Sequence, residues 1–356
     1  MVFVVAIIVG IALGGWGLFS LAAGAVLFRS TLVRGKDAFL EKALGKTEGA
    51  NAMAAHTRDP VVMNPIQAAK ERWRAGPVSA RQSARIRSFD GLTLAGEYWP
   101  TVTGGAESAA PSPAVVIVHG KDDTGAGMAY LAEGYHSRGF DCLLIDARAH
   151  GESAGSVCTM GVREAEDLSN WVDWLVDVQG KRHVFVHGVS MGAATAIIFA
   201  GRRCGLRPEV AGIISDSSYA RYDEAFARLL FLAVRNRFVS WSITLGASVA
   251  SRLLGGVSFG SMNPVCSVGR VSVPMLLFHG QADVLVTVRM VRDLFAEAAR
   301  VARAQGRPVP EIVVVPEAPH IGPFFYAPEL YWNKIETFCS EGASASVAQP
   351  FVPSGV

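Results

Sequence analysis

From residue 84 onward the chain alternates short, wholly apolar runs with longer stretches of helical spacing. The apolar runs are AVVIVHG (114–120), FDCLLIDA (140–147), HVFVHG (183–188), VAGIISD (210–216), VPMLLFHG (273–280) and PEIVVVPE (310–317). A strand that is apolar at every position is buried on both faces, as in a parallel sheet covered by helices on either side. Helical stretches fall near 127–138, 164–178, 192–204, 287–304 and 328–340. In 164–178, Leu168, Trp171, Val172 and Leu175 lie on one side of a helix. Ahead of these units, ARIRSFDGLTLAGEYW sets Asp90-Gly91 between two alternating runs, a hairpin signal in which the glycine is free to take positive φ. The pattern predicts an α/β fold: a doubly wound sheet, mostly parallel, with an antiparallel start. Binding sites in such sheets form at the carboxyl ends of the strands.

Length and charge narrow the function. The 356 residues suffice for one large domain with an appendage, or for two modest domains. Half the residues are apolar and the formal net charge is +2, which gives no electrostatic case for nucleic acid. The five cysteines (Cys142, Cys158, Cys204, Cys266, Cys339) are scattered and nowhere in CxxC spacing, so neither a metal site nor a disulfide framework is expected. Cys142 sits in an apolar run and reads as a small buried residue.

The amino terminus has a different character. VFVVAIIVGIALGGWGLFSLAAGAVLF, residues 2–28, carries no charge, and Ser20 is its only clearly polar side chain. A helix of that length exceeds the thickness of a hydrocarbon core of about 30 Å. The segment 1–28 is therefore expected to be a single-pass transmembrane anchor. The alternatives are a buried core helix and a cleaved signal peptide with Ala23-Gly24-Ala25 at the cut, although the basic n-region is missing. Arg29, Arg34, Lys36, Lys42 and Lys46 follow the run, so the positive-inside tendency puts the catalytic domain in the cytoplasm, with an extracytoplasmic location as the alternative. Residues 29–83, mixed in charge with short apolar groups, read as a helical stalk or linker joining anchor to domain, in which His56 is a solvated polar residue. Residues 84–340 form the main domain, and the small, proline-broken tail 341–356 reads as disordered.

Gly188-Val189-Ser190-Met191-Gly192 is G-x-S-x-G between a strand and a helix. A sharp strand-to-helix turn lifts the serine Oγ clear of the backbone, and side chains in place of the glycines would collide with it. The alternative is an ordinary tight turn. A serine hydroxyl needs a base, and the base needs an orienting acid. His320, shortly after the last strand run, is the candidate base, against a reading as a loop histidine packed on Phe324 and Phe325. Asp283, three residues past Gly280, is the candidate acid, and Asp216 at the end of IISD is its rival. Backbone N–H groups of Met191, at the start of the helix, and of Lys121, in the loop IVHGKDDTG, are the expected oxyanion donors. His119 in that loop reads as structural.

With VVIVHGKDDTG, LLIDARAHGESAG, VHGVSMGAATA, MLLFHGQADVLV and PHIGPFFYAPELYW, the chain resembles the serine-hydrolase branch of the α/β-hydrolase superfamily over residues 84–340. Within that branch it is most similar to membrane-anchored bacterial hydrolases of the esterase and serine-aminopeptidase-like group. The resemblance implies an α/β-hydrolase fold, no metal or organic cofactor, and a structural role for Asp146, Arg148, His150, Gly151 and Ser153 in a DxRxHGxS turn. Ala149 stands where the relatives often carry glycine. It also implies that residues 217–262, rich in Leu, Phe, Val and Trp, form a helical cap. An apolar cap favours acyl groups over sugars or charged substrates; equally, those residues only pack on the sheet. The expected function is a membrane-tethered serine hydrolase acting on a small-molecule or lipid-like ester. The alternatives are an amidase or serine aminopeptidase, and a catalytically idle scaffold that binds partners.

Overall fold

The computed structural model describes residues 2–34, 59–76, 80–101, 111–202 and 206–347. The hairpin at Asp90-Gly91 joins β1 (Gln82–Arg87) to β2 (Thr93–Trp99), antiparallel, with Gln82 opposite Tyr98 and Arg87 opposite Thr93. Gly91 takes φ 85°, the left-handed conformation that glycine adopts without penalty. The six apolar runs become β3 (Ala114–Val118), β4 (Asp141–Ile145), β5 (Val184–Val189), β6 (Val210–Asp216), β7 (Met275–Gly280) and β8 (Glu311–Val315). They form one sheet in the order β1-β2-β4-β3-β5-β6-β7-β8. β2 pairs antiparallel with β4, and every pairing from β4 to β8 is parallel.

Both faces of the sheet are covered, as the unbroken apolar strands require. Every residue of β3 through β7 is buried. On one face Val115, Ile117, Phe185, Ile214 and Phe278 pack in one core with α2 (Pro60–Ala75), α3 (Ala129–His136) and α9 (Pro328–Val347). On the other, Val116, Val118, Val186, Ile213 and Leu277 share a core with α4 (Val162–Asp173), α5 (Met191–Ala200) and α8 (Val288–Ala304). The chain starts winding at β3 and proceeds outward in both directions, so the switch point lies beside β3 and β5, where the phosphate- or carbonyl-sized sites of such sheets form.

Three regions differ from expectation, while the segment 217–262 is helical as expected. The presumed stalk contains α2, whose Val62, Ile66, Ala69 and Trp73 recur at 4-3-4 spacing and are buried in the core. Asp59 caps it by accepting from the Val61 N–H at 2.8 Å, and Pro60 opens its first turn. His56 lies outside the described residues. The segment 217–262 is helical, forming α6 (Tyr222–Val234) and α7 (Arg237–Ala250), followed by tighter turns to Met262. At the carboxyl end α9 runs to Val347, into the expected disordered tail, the remainder of which lies outside the described residues.

The amino-terminal run forms α1 (Val2–Leu32), but the expected transmembrane anchor is not supported. Among the described residues no helix is long and apolar enough to cross a membrane. The second half of α1 packs on the cap. Gly24 approaches α7 so closely that a Cβ there would lie 2.2 Å from the Ala247 nitrogen, and a Cβ on Gly246 would lie 2.0 Å from the Ser20 carbonyl. Phe28 and Leu32 are buried in the same core as α6 and α7. Small residues at the crossing let the two backbones touch, as at close helix pairs generally.

Candidate active site

Ser190 occupies the turn between β5 and α5 with φ 55° and ψ −112°, a strained conformation for a residue with a side chain. Its N–H donates to the Asp216 carbonyl at 2.8 Å, and its own carbonyl accepts from Ala194 N–H at 3.1 Å. The flanking glycines are steric necessities. A Cβ on Gly188 would sit 2.1 Å from the Gly192 oxygen, and one on Gly192 would sit 2.0 Å from the Val118 oxygen. The turn thus brings α5 hard against β3, with the helix N-terminus beneath Ser190.

The loops after β7 and β8 are stitched together by backbone bonds. Gln281 N–H donates to the Val315 carbonyl at 2.9 Å, and Ala282 N–H to the Ala318 carbonyl at 3.0 Å. That pairing brings Asp283 and His320 face to face. His320 Nδ1 lies 2.7 Å from Asp283 Oδ2, and His320 Nε2 lies 2.9 Å from Ser190 Oγ. Asp283 is buried and held by the N–H groups of Leu285 (2.9 Å) and Val286 (2.8 Å) on its other oxygen. The three residues singled out from the sequence therefore form one chain of contacts. Burial pulls the His320 pKa down, but the charge and hydrogen bond of Asp283, with the charge of Asp216, outweigh it and raise the pKa above the ordinary histidine value. Burial pushes Asp283 up, yet the charge and hydrogen bond of His320, with His279 and the Val286 N–H, hold it below the ordinary aspartate value.

Asp216, the rival acid, does not touch His320 through its side chain. Its Oδ2 accepts from Tyr331 Oη at 2.8 Å and its Oδ1 from Ser217 Oγ at 2.8 Å. Tyr331 Oη also lies 3.0 Å from His187 Nε2, and Tyr135 Oη lies 2.9 Å from His187 Nδ1. Because Tyr331 donates its O–H to Asp216, its oxygen accepts the His187 Nε2–H, and Nδ1 accepts from the Tyr135 O–H. Burial holds the His187 pKa down at about 3 and raises Asp216 to about 6. Ser217 Oγ in turn accepts from the Ile321 N–H at 3.2 Å, so this buried network braces the residue next to His320. The tyrosines and His187 gave no sign in the sequence, because their meeting depends on how β5, α3 and α9 stack.

The DxRxHGxS turn is a scaffold for the loop opposite. Asp146 accepts from the N–H groups of Gly125 (2.8 Å) and Glu152 (2.7 Å). Ser153 Oγ donates to the Asp146 carbonyl at 2.6 Å, and buried Arg148 is paired with Asp167 and Asp90. Gly151 turns at φ 48°, and Ala149 adopts φ 63° where a glycine would be unstrained. His150 Nε2 accepts from Asp122 N–H at 3.3 Å, and His119 Nε2 from Ala147 N–H at 3.0 Å, so both histidines fix the loop that carries Lys121. Burial, with the neighbouring His150, keeps His119 neutral at a pKa of about 4.

Ser190 and His320 open into a cavity of about 650 Å³. Its walls are largely apolar: Met160, Tyr219, Tyr222, Phe226, Leu229 and Leu285 line one part, with Ile66 and Met63 of α2 and Thr31 of α1 opposite. Gly120, Lys121, Asp122 and Asp123 form the polar edge. Lys121 is paired with Asp122, and Lys70 with Asp123 at 3.1 Å. The walls contributed by α1 and α2 were not foreseen, because both helices were assigned to an anchor and a linker. Among the described residues no group of His, Cys, Asp and Glu is placed to hold a metal ion, and Cys142, Cys158, Cys266 and Cys339 are free.

Residues 109–254 match the Hydrolase_4 family, described as serine aminopeptidase, S33. The Bacillus subtilis protein YqkD is 30% identical over 158 residues, 44% of this chain and 50% of its own length, so the likeness spans half of that relative. The lysophosphatidylserine lipase ABHD12 of Macaca fascicularis is 24% identical over 196 residues, 54% of this chain and 47% of its own. Among solved structures, the Pyrococcus furiosus esterase Pf2001 superposes with a TM-score of 0.57 at 24% identity, covering 73% of this chain and 92% of that one. Sheet order, nucleophile turn and these likenesses together place the chain in the α/β-hydrolase superfamily.

Proposed function

We propose that the protein is a serine hydrolase that cleaves carboxylic esters with an apolar acyl group through an acyl-enzyme. The observation that carries the reading is the relay Ser190–His320–Asp283, with contacts of 2.9 and 2.7 Å, opening into a largely apolar cavity. Ser190 Oγ attacks the ester carbonyl as its proton passes to His320 Nε2. Asp283 holds the imidazole in the tautomer that leaves Nε2 free to accept, and then stabilises the imidazolium. The N–H groups of Met191 and Lys121 receive the oxyanion, aided by the N-terminus of α5. The carbon–oxygen bond to the alcohol breaks, His320 returns the proton to the departing oxygen, and water activated by His320 releases the acid and frees Ser190. The match to a lysophosphatidylserine lipase supports an acyl ester of a lipid as the substrate class.

A second reading, an aminopeptidase, follows from the description of the matching family. Such an enzyme must hold a substrate ammonium near the scissile bond. Among the described residues, the two carboxylates on the cavity edge, Asp122 and Asp123, are each paired with a lysine, Lys121 and Lys70, which weakens them as anchors for that ammonium and favours the ester reading. A panel of p-nitrophenyl esters of increasing chain length, run beside aminoacyl p-nitroanilides, separates the two. The expected result is ester turnover with kcat/KM rising from acetate toward medium or long acyl chains. Faster turnover of an aminoacyl anilide than of any ester would overturn it.

A further inference from the structure

The outer surface of α7 is apolar where a water-soluble cap would be polar. Phe238, Trp241, Leu245 and Val249 recur at 3-4-4 spacing along one face of the helix, and all four are exposed. Phe238 is 69% exposed and Leu245 68%, and Leu253, in the turn that follows, is 74% exposed. The inner face of the same helix, with Ile243, Ala247 and Ala250, is buried in the core shared with α1, so α7 carries apolar residues on both its inner and its outer face. A helix of that kind needs an apolar environment outside as well as inside. The described part of α1 continues the surface with Leu18, 71% exposed, and Phe19. Trp16 of α1 stacks on Phe238 of α7 at 5.6 Å, which joins the two helices into one face.

Charge identifies what covers it. Arg235 and Arg237 stand at the start of α7 and Arg252 just past its end, all exposed. Between Glu224 and Asp283 the sequence has five arginines and no acidic residue, and the first 36 residues have none either. An apolar face framed by arginines and containing Trp241 fits the boundary between acyl chains and anionic headgroups. A second copy of the chain fits less well, because a two-fold pairing would set one arginine frame against another.

We propose that α7 and the adjoining part of α1 dock together into one leaflet of an anionic membrane. The cap helix itself is then in contact with lipid. The docked elements adjoin the catalytic cavity: Thr31 of α1 lines it, as do Tyr222 and Phe226 of α6, which ends at Val234 just before α7. Docking brings the cavity to the membrane surface, so that a lipid ester reaches Ser190 from the leaflet. That last consequence rests on the ester-hydrolase reading; the docking does not.

The test uses the full chain with vesicles of phosphatidylglycerol and phosphatidylcholine whose acyl chains are brominated. Bromine quenches tryptophan emission on contact, and the difference between the native chain and Trp241→Phe isolates Trp241 from the other tryptophans. Trp241 emission should be quenched by brominated and not by unbrominated vesicles. A Leu245→Glu, Leu253→Glu variant should lose that quenching and bind vesicles at least about tenfold more weakly, the scale set by burying two leucines. Its hydrolysis of water-soluble p-nitrophenyl acetate should stay within about twofold of native, since neither leucine lies near the site. Trp241 that stays unquenched overturns the proposal, whether it remains in water or is covered by a second copy detected by analytical ultracentrifugation. Vesicle binding unchanged in the double variant overturns it equally. Loss of acetate hydrolysis in the native chain would count against the hydrolase reading and leave the docking result standing.

Discussion

Asp283 sets the acidity of the site. Its charge and hydrogen bond outweigh the burial that would otherwise depress the His320 pKa. The base works only when neutral, so kcat/KM on a short ester should fall as pH drops through a pKa above the ordinary histidine value of about 6.5. In Asp283→Asn the larger part of the upward pull disappears, leaving only the charge of Asp216, while the burial remains. The acid limb should then move to lower pH, and kcat should fall about 10³–10⁴-fold because the imidazole is no longer held in the useful tautomer. An acid limb that stays in place or moves upward would show that Asp283 is not the partner of the titrating base. The glycines around Ser190 make a harder demand. Gly192→Ala puts a carbon 2.0 Å from the Val118 oxygen, a backbone atom that cannot swing aside. The cost should be at least about 2 kcal/mol in urea unfolding, with loss of ester hydrolysis even where the fold survives.

At the scale of elements, the sheet was legible and the packing partners of two helices were not. The six apolar runs became six strands within a few residues of their expected ends, because burial on both faces leaves an uninterrupted pattern. A helical stalk was expected over α2, but its docking on the core was hidden because its buried stripe is short, sits among mixed charges, and carries Pro65 in its interior. Its attachment is nevertheless firm: Trp73 is buried, donates its indole N–H to Glu97, and carries the Arg81 guanidinium 4.4 Å above its ring. Trp73→Ala should destabilise the domain by about 3 kcal/mol or more in urea unfolding. A change below about 1 kcal/mol would mean that α2 is a loosely held linker after all. For α1 the composition was read correctly as apolar and helical, but its partner could not be read. The Gly24–Gly246 crossing joins residues more than two hundred positions apart, and only tertiary packing shows that half of the helix is committed to the cap.

Across the whole molecule, function depends on convergence: the ends of β3, β5, β7 and β8 supply the loop of Lys121, Ser190, Asp283 and His320 to one rim of one sheet. That convergence could be anticipated from chain order, since each residue follows an apolar run directly. The shape of the cavity could not, because its walls come from α1, α2 and the cap, and neither could the Tyr135–His187–Tyr331–Asp216 network behind the histidine. The central claim is that Ser190, alone in the chain, is activated as a nucleophile. Reaction of the full-length protein with a fluorophosphonate, followed by intact-mass and peptide mass spectrometry, tests it directly. The expected result is one adduct, located on Ser190, that is absent from Ser190→Ala. An adduct on another residue, or labelling that persists in Ser190→Ala, would contradict the account.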